Sequence, residues 1–274
     1  MRRLIGFASL LLVACVVISS QVAFTDTGSF QTSTEPALIR HASQEESTHL
    51  VRVLSKGKCS GIPIKGTLYV VTAAHCVLDK YTGKFTSKYD VRVEYNDKRY
   101  DVSGVLAQET VAPTKGKVFS GTDMAVLVLT KPIPGIGVDF GSHQDIRKGG
   151  TLIGYQPLAT KDSFYHPSSH DELTSVGLTT TTAPAACTFT GSQVTAIKNF
   201  WSIPCGMVPG GSGGPVLVVK NGKLLLVGVL SSVDASLSSN GITSVSIAAE
   251  MLLDPDRYYY SLTNDSPVTP GSAR

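Results

Sequence analysis

A series of short apolar runs, each closed by glycine, proline, asparagine or aspartate, most constrains how this chain can fold. They read LVRVL (50–54), TLYVVTAA (67–74), YDVRVEY (89–95), MAVLVLT (124–130), TLIGY (151–155), PVLVV (215–219) and LLLVGVL (224–230). Apolar and polar residues alternate in VRVEY, the mark of a strand with one buried face. Other runs are apolar throughout, which requires burial on both faces. KNGK (220–223) is a turn signal between two of them. Helical periodicity is absent until SIAAEMLLD (246–254), which reads as a short terminal helix. The pattern predicts an all-β chain of sandwich or barrel type. The break KPIPGIG (131–137) falls near the middle and is placed to join two halves. No internal repeat is evident.

With 274 residues the chain can hold one large domain or two small ones. Charged residues are 16% and aromatics 7%, a globular and turn-rich balance rather than a disordered one. The formal charge is +3, of which Arg2 and Arg3 supply two, leaving +1 for the rest. No lysine or arginine stripe with interleaved aromatics exists, which argues against a nucleic-acid partner.

The start, MRRLIGFASLLLVACVVISSQVAF, sets two arginines before an apolar run from 4 to 18. This is the layout of a secretory signal peptide, with cleavage after Ser20. Two other readings stay open. Counted through Phe24 the run is long enough for a membrane anchor, and LVAC (12–15) resembles a bacterial lipoprotein box with Cys15 lipidated. All three export the domain, as a secreted or membrane-tethered protein. The chain therefore divides into a signal peptide or anchor (1–24), a polar linker or pro-segment (25–48), a folded domain (49–262) and a flexible tail (263–274). Setting Cys15 aside leaves Cys59, Cys76, Cys187 and Cys205, an even number that suits an oxidising compartment. Four cysteines allow three pairings; the spacing suggests Cys59–Cys76 and Cys187–Cys205. Zinc is the competing use, but no close C-x-x-C pair exists, and the proline-containing HPSSH (166–170) reads as a solvated turn.

MVPGGSGGPVLVV (207–219) sets one serine among four glycines just before an apolar strand. Glycine costs more backbone entropy on folding than any other residue. Such a cluster is either a plain turn or a backbone that must bend tightly to present Ser212 and aim N–H groups at one point. A serine nucleophile needs a base, a group to orient that base, and donors for an oxyanion. VVTAAHCVLD (70–79) places His75 at the end of a buried strand, beside Cys76. GTDMAVLVL (121–129) places Asp123 just before another. The other acids, Asp79, Asp90, Asp97 and Asp101, lie in charged, turn-rich stretches and read as solvated.

TAAHC, the Asp123 segment and GGSGGP, in that order, resemble the chymotrypsin-like serine proteases over residues 50–262. The resemblance implies two packed antiparallel six-stranded β-barrels with the site in the cleft between them, and a short C-terminal helix. It implies an exported serine endopeptidase acting on protein or peptide substrates without metal or cofactor. His75, Asp123 and Ser212 would form the triad, and the N–H groups of Gly210 and Ser212 the oxyanion hole.

Departures from the family pattern matter as much. GGSGGP stands where GDSGGP is common, so Gly211 occupies the acid's place, and no Ile-Val-Gly-Gly type sequence precedes Leu50. A liberated amine thus has no acid to pair with beside the nucleophile. The oxyanion loop must be held by local packing, with Cys205 as an anchor. CGMVPGGSGGP (205–215) is similar to bacterial secreted members, including the glutamyl-endopeptidase-like branch. LVGVLSSVD (226–234) resembles the strand that pairs with substrate backbone, with 231–233 on its edge. Gly206 lies six residues before Ser212, where trypsin-like members carry an acid. Gly206, Ser231 and Val233 are therefore the expected substrate-binding residues, with small or medium uncharged side chains preferred and glutamate as the rival. Two other functions compete: a catalytically silent binding protein on the same fold, and an esterase using G-x-S-x-G (210–214). The strand-rich pattern and the order His, Asp, Ser oppose the esterase.

Overall fold

The computed structural model describes residues 37–55, 57–78, 91–107, 122–157, 182–197, 200–207, 210–233 and 239–261. All belong to the unit Thr32–Arg274. The export segment 1–24, the first part of the polar segment, Asp79, Asp90, HPSSH and the tail 263–274 lie outside the described residues.

The first strands are β1 (Ile39–His41), β2 (Val51–Leu54), β3 (Lys58–Pro63), β4 (Tyr69–Thr72), β5 (Arg92–Tyr95), β6 (Lys98–Ala107) and β7 (Ala125–Leu129). Next come β8 (Asp139–Phe140), β9 (Gly149–Pro157), β10 (Thr182–Thr190), β11 (Thr195–Ile197) and β12 (Phe200–Ile203). The last are β13 (Pro215–Lys220), β14 (Lys223–Val233), β15 (Asn240–Ser244) and β16 (Tyr259–Ser261). Among the described residues the α-helices are few and short: α1 (Gln44–Thr48), α2 (Ser246–Leu253) and α3 (Pro255–Tyr258).

Strands β5, β2, β3, β4, β7 and β6 pair in that order, and β6 pairs back to β5, which closes a six-stranded barrel. The second half is a curled sheet in the order β1-β10-β9-β13-β14-β15-β12-β11, with β8 added parallel to β14. The expected pair of closed six-stranded barrels is thus one closed barrel and one half-barrel, consistent with a trypsin-like double barrel. In the second half, the described residues show no ladder joining the two ends of the path. KPIPGIG lies between β7, the last strand of the barrel, and β8, as its composition suggested.

The continuously apolar runs are buried on both faces over most of their length, with Leu68 and Val219 exposed near their ends. Along β4, Val70 faces the barrel interior with Val53, Val93, Val105 and Leu127. Its neighbour Val71 faces the other way, joining Leu106, Val126, Ile153, Leu217 and Val229 where the barrel meets the sheet. The period-two alternation of a strand thus feeds two cores from one run. A third cluster, with Leu152, Cys187, Trp201, Val216 and Leu230, is built on the strands of the curled sheet. Fully burying a Val, Leu or Ile side chain contributes about 1.5–3 kcal/mol, so both halves and their junction are held by the same strands.

Residues 37–48, part of the segment read as a linker, contribute to the fold. β1 pairs with β10 at Ile39↔Cys187, and Ile39 is buried. Ser43 caps α1 and forms a capping box with Glu46. At the other end, β16 pairs with β6 of the barrel, while α2 buries Ala248 and Met251 in the junction core.

Candidate active site

His75 follows β4 in a single 3-10 turn, Ala74–Cys76. Asp123 sits two residues before β7 and is 1% exposed. Because β4 and β7 are paired from Tyr69↔Val128 to Thr72↔Ala125, the end of one strand and the start of the other meet. Asp123 Oδ1 accepts the backbone N–H of His75 at 2.9 Å, and Oδ2 lies 2.8 Å from His75 Nδ1. A carboxylate only accepts, so Nδ1 carries the hydrogen and the Nε2 lone pair remains on the far side of the ring. Burial is the largest influence on the imidazole and lowers its pKa. The charge of Asp123 and its hydrogen bond act upward and together prevail, so the ring titrates above its ordinary value of 6.5. The rival acids Asp97 and Asp101 are exposed.

Ser212 stands in the turn that leads into β13. Gly210 has φ +106°, a region that side chains rarely adopt. Gly213, at φ +77°, lies so close to β3 and β4 that a Cβ there would collide with Thr72 Oγ1 and the Ser60 carbonyl. The glycines around Ser212 therefore answer to both conformation and space. Ser60 N–H donates to the Ser212 carbonyl at 2.7 Å, and Gly213 N–H donates to the Leu230 carbonyl at 2.8 Å. Cys59, beside Ser60, is bonded to Cys76, beside His75; Ser231, beside Leu230, is bonded to Asp123. Each neighbour that holds the Ser212 turn is thus one residue from a group that holds His75 or Asp123. Among the described residues, the N–H groups of Gly210 and Ser212 donate to no carbonyl.

Ser231, expected as a substrate contact, turns its hydroxyl to Asp123 Oδ2 at 2.6 Å and is 4% exposed. β13 begins at Pro215, opposite Val229, so past Leu230 the β13 side of β14 has no strand partner among the described residues. The other side pairs with β15 at Ser232↔Gly241 and Val233↔Asn240. The side chain of Val233 lies outside the described residues. Gly206 is buried, with φ +57°.

Sequence reasoning missed Ser60 and Asn240. Asn240 is wholly buried; its Oδ1 accepts Met207 N–H at 2.7 Å and its Nδ2 donates to the Met207 carbonyl at 2.9 Å and to the Ser232 carbonyl at 3.4 Å. It ties the segment before the Ser212 turn to β14. Neither residue carries a signal in the sequence: a serine beside a cysteine and an Asn-Gly pair are ordinary in a turn-rich chain.

The disulfides are Cys59–Cys76 and Cys187–Cys205, as the spacing suggested. Closing a loop of this kind contributes about 3 kcal/mol in the chain-entropy account. The pairs fit an extracellular or otherwise oxidising environment. Cys59, Cys76 and His75 present their ligand atoms within 4.8 Å of one another, but the two sulfurs are bonded to each other and are not thiolates. No helix of the described residues is long and apolar enough to cross a membrane.

A peptidase of the two-barrel type is the class that this fold and this grouping of residues point to. The family model for the trypsin-like peptidase domain matches residues 59–229, and the chain belongs to that family. A comparison with curated proteins finds no match. The match runs from Cys59 in β3 to Val229 in β14, and so includes His75, Asp123 and Ser212. A peptidase domain implies protein or peptide substrates.

Proposed function

We propose that this protein is an exported serine endopeptidase that hydrolyses peptide bonds through Ser212, His75 and Asp123. The observation that carries the reading is the pair of half-buried His75 and buried Asp123, joined at 2.8 Å, beside a glycine-bound turn that presents Ser212. His75 takes the Ser212 proton through Nε2 as the hydroxyl oxygen attacks the scissile carbonyl. Asp123 fixes the tautomer and stabilises the imidazolium. The proton then passes to the leaving amine, and water activated by His75 hydrolyses the acyl-enzyme. The N–H groups of Gly210 and Ser212 would receive the oxyanion, each donor contributing about 2.7–4 kcal/mol of transition-state stabilisation. Ser212 precedes a strand rather than a helix, which does not suit the nucleophile elbow of an α/β esterase. Incubating the folded protein with a denatured protein substrate tests the reading: peptide-bond cleavage blocked by a fluorophosphonate supports it, and no cleavage by folded protein contradicts it.

The raised His75 pKa gives a pH dependence with a definite sign. The base works only when neutral, so kcat/KM should rise with pH through a midpoint above the ordinary 6.5. The same shift acts on stability in the opposite sense. A group whose folded pKa is raised contributes stability that is complete below its unfolded pKa and fades as pH rises through the folded value. A pH–rate profile from about pH 5 to 9 checks the first point; a midpoint below 6.5 contradicts it.

The specificity expectation rests on Gly206 and Val233, and Asn240 adds to it. No carboxylate stands at Gly206, and the carboxamide of Asn240 next to it is neutral, so a buried cationic substrate side chain would lack a partner. A substrate panel varied on the acyl side should favour small or medium uncharged residues. Preference for Lys or Arg contradicts this, and preference for glutamate selects the rival.

A further inference from the structure

We infer that Ser60 is the positioning residue that holds the oxyanion turn in its working conformation, in place of the ion pair that Gly211 cannot form. The inference rests on the endopeptidase reading above. Ser60 is wholly buried on β3 and uses its three polar groups in four hydrogen bonds. Its hydroxyl donates to the Gly210 carbonyl at 2.9 Å and accepts Tyr155 N–H of β9 at 2.8 Å. Its N–H donates to the Ser212 carbonyl at 2.7 Å. Its own carbonyl accepts from Thr72 Oγ1 of β4 at 2.8 Å. One side chain thus ties the closed barrel, the half-barrel and the nucleophile turn together.

The turn needs such a tie because Gly-Gly-Ser-Gly-Gly has little steric preference of its own. A peptide flip there would put a carbonyl where an N–H stands, and a carbonyl oxygen repels an oxyanion. The Gly211–Ser212 peptide, which carries the Ser212 N–H, is held by Gly214 N–H on the Gly211 carbonyl at 2.8 Å. Ser60 holds the peptides on either side of it: its hydroxyl bonds the Gly210 carbonyl and its N–H the Ser212 carbonyl. The Gly210–Gly211 peptide joins the two proposed donors, so fixing its plane fixes the direction of both. The anchor expected at Cys205, five residues before Gly210, is bonded to Cys187 and holds the start of the segment rather than the turn itself.

Ser60→Ala isolates the hydroxyl, because the backbone bonds to Ser212 and Thr72 do not need it. For the full-length protein, kcat on a peptide amide should fall about 10- to 100-fold, less than the loss of a whole oxyanion donor, with KM changed less than about threefold. Affinity for a peptidyl aldehyde of the best-cleaved sequence, whose adduct places an oxygen in the hole, should fall in parallel with kcat. The acid limb of the pH profile should not move, since His75 and Asp123 are untouched. If the alanine variant does not fold, Ser60→Cys, with similar volume and a weak donor, is read by the same three measurements. Unchanged kcat and aldehyde affinity in an active wild-type background overturns the role of Ser60 alone, as does a loss confined to KM. A folded wild type that neither cleaves peptides nor takes a fluorophosphonate overturns the endopeptidase reading, and this inference with it.

Discussion

Ser212→Ala should lower kcat on peptide substrates by roughly a millionfold, the scale on which nucleophile loss acts in serine peptidases, while the melting temperature stays near that of the parent. The size follows from the division of labour at the site. The His75–Asp123 pair and the N–H groups of Gly210 and Ser212 have nothing to act on without the hydroxyl. Their own geometry survives, because the bonds that hold the turn do not use the Ser212 side chain: Ser60 N–H to the Ser212 carbonyl, Ser60 Oγ–H to the Gly210 carbonyl, Gly213 N–H to the Leu230 carbonyl and Gly214 N–H to the Gly211 carbonyl. Residual turnover within about a hundredfold of the parent would mean that another group makes the acyl-enzyme. The measurement is a progress curve at saturating substrate, with circular dichroism as the control for folding.

Asp123→Asn should lower kcat about 10⁴-fold, the effect expected when a triad histidine is forced into the wrong tautomer. Three donors converge on this carboxylate: His75 N–H at 2.9 Å, His75 Nδ1–H at 2.8 Å and Ser231 O–H at 2.6 Å. An asparagine offers one oxygen and an NH₂ group, so at least one donor then faces another. If the NH₂ faces the ring, Nδ1 must accept, the hydrogen moves to Nε2, and the base is lost toward Ser212. The pH profile separates this from unfolding. With the carboxylate gone, burial remains as the large influence on His75, so the acid limb of the residual activity should move below the ordinary 6.5. A limb that stays at or above the parent midpoint would show that Asp123 does not govern the ring.

Much of this site was legible because its chemistry demands rare local patterns. A serine inside Gly-Gly-x-Gly-Gly is justified by the collision that any Cβ at Gly213 would suffer. His75 and Asp123 were marked by their places at the ends of runs buried on both faces, such as that of Val70 and Val71. What escaped were the strands made by their neighbours. β3 (KCSGIP) contains glycine and proline, β10 (TAPAACTFT) is built of small residues, and β15 (NGITS) opens on a turn-like pair. Each is a strand because strands beside it supply a hydrogen-bonding edge, a tertiary effect that local propensity does not record. The second role of Ser231 escaped for a related reason. The strand reading addressed only its backbone, and the direction of its hydroxyl depends on Asp123, 108 positions away. Ser60 and Asn240 are hidden more deeply, since their importance lies in which carbonyls they reach.

The central claim is that Ser212 is the nucleophile of a working hydrolytic site. Mapping a fluorophosphonate label on the folded, oxidised protein tests it most directly. The account predicts one label per chain, on Ser212 within the peptide that holds GGSGGP, prevented by prior acid denaturation and absent from Ser212→Ala. A label on a different serine, or none on protein whose Cys59–Cys76 and Cys187–Cys205 bonds are intact, would contradict it.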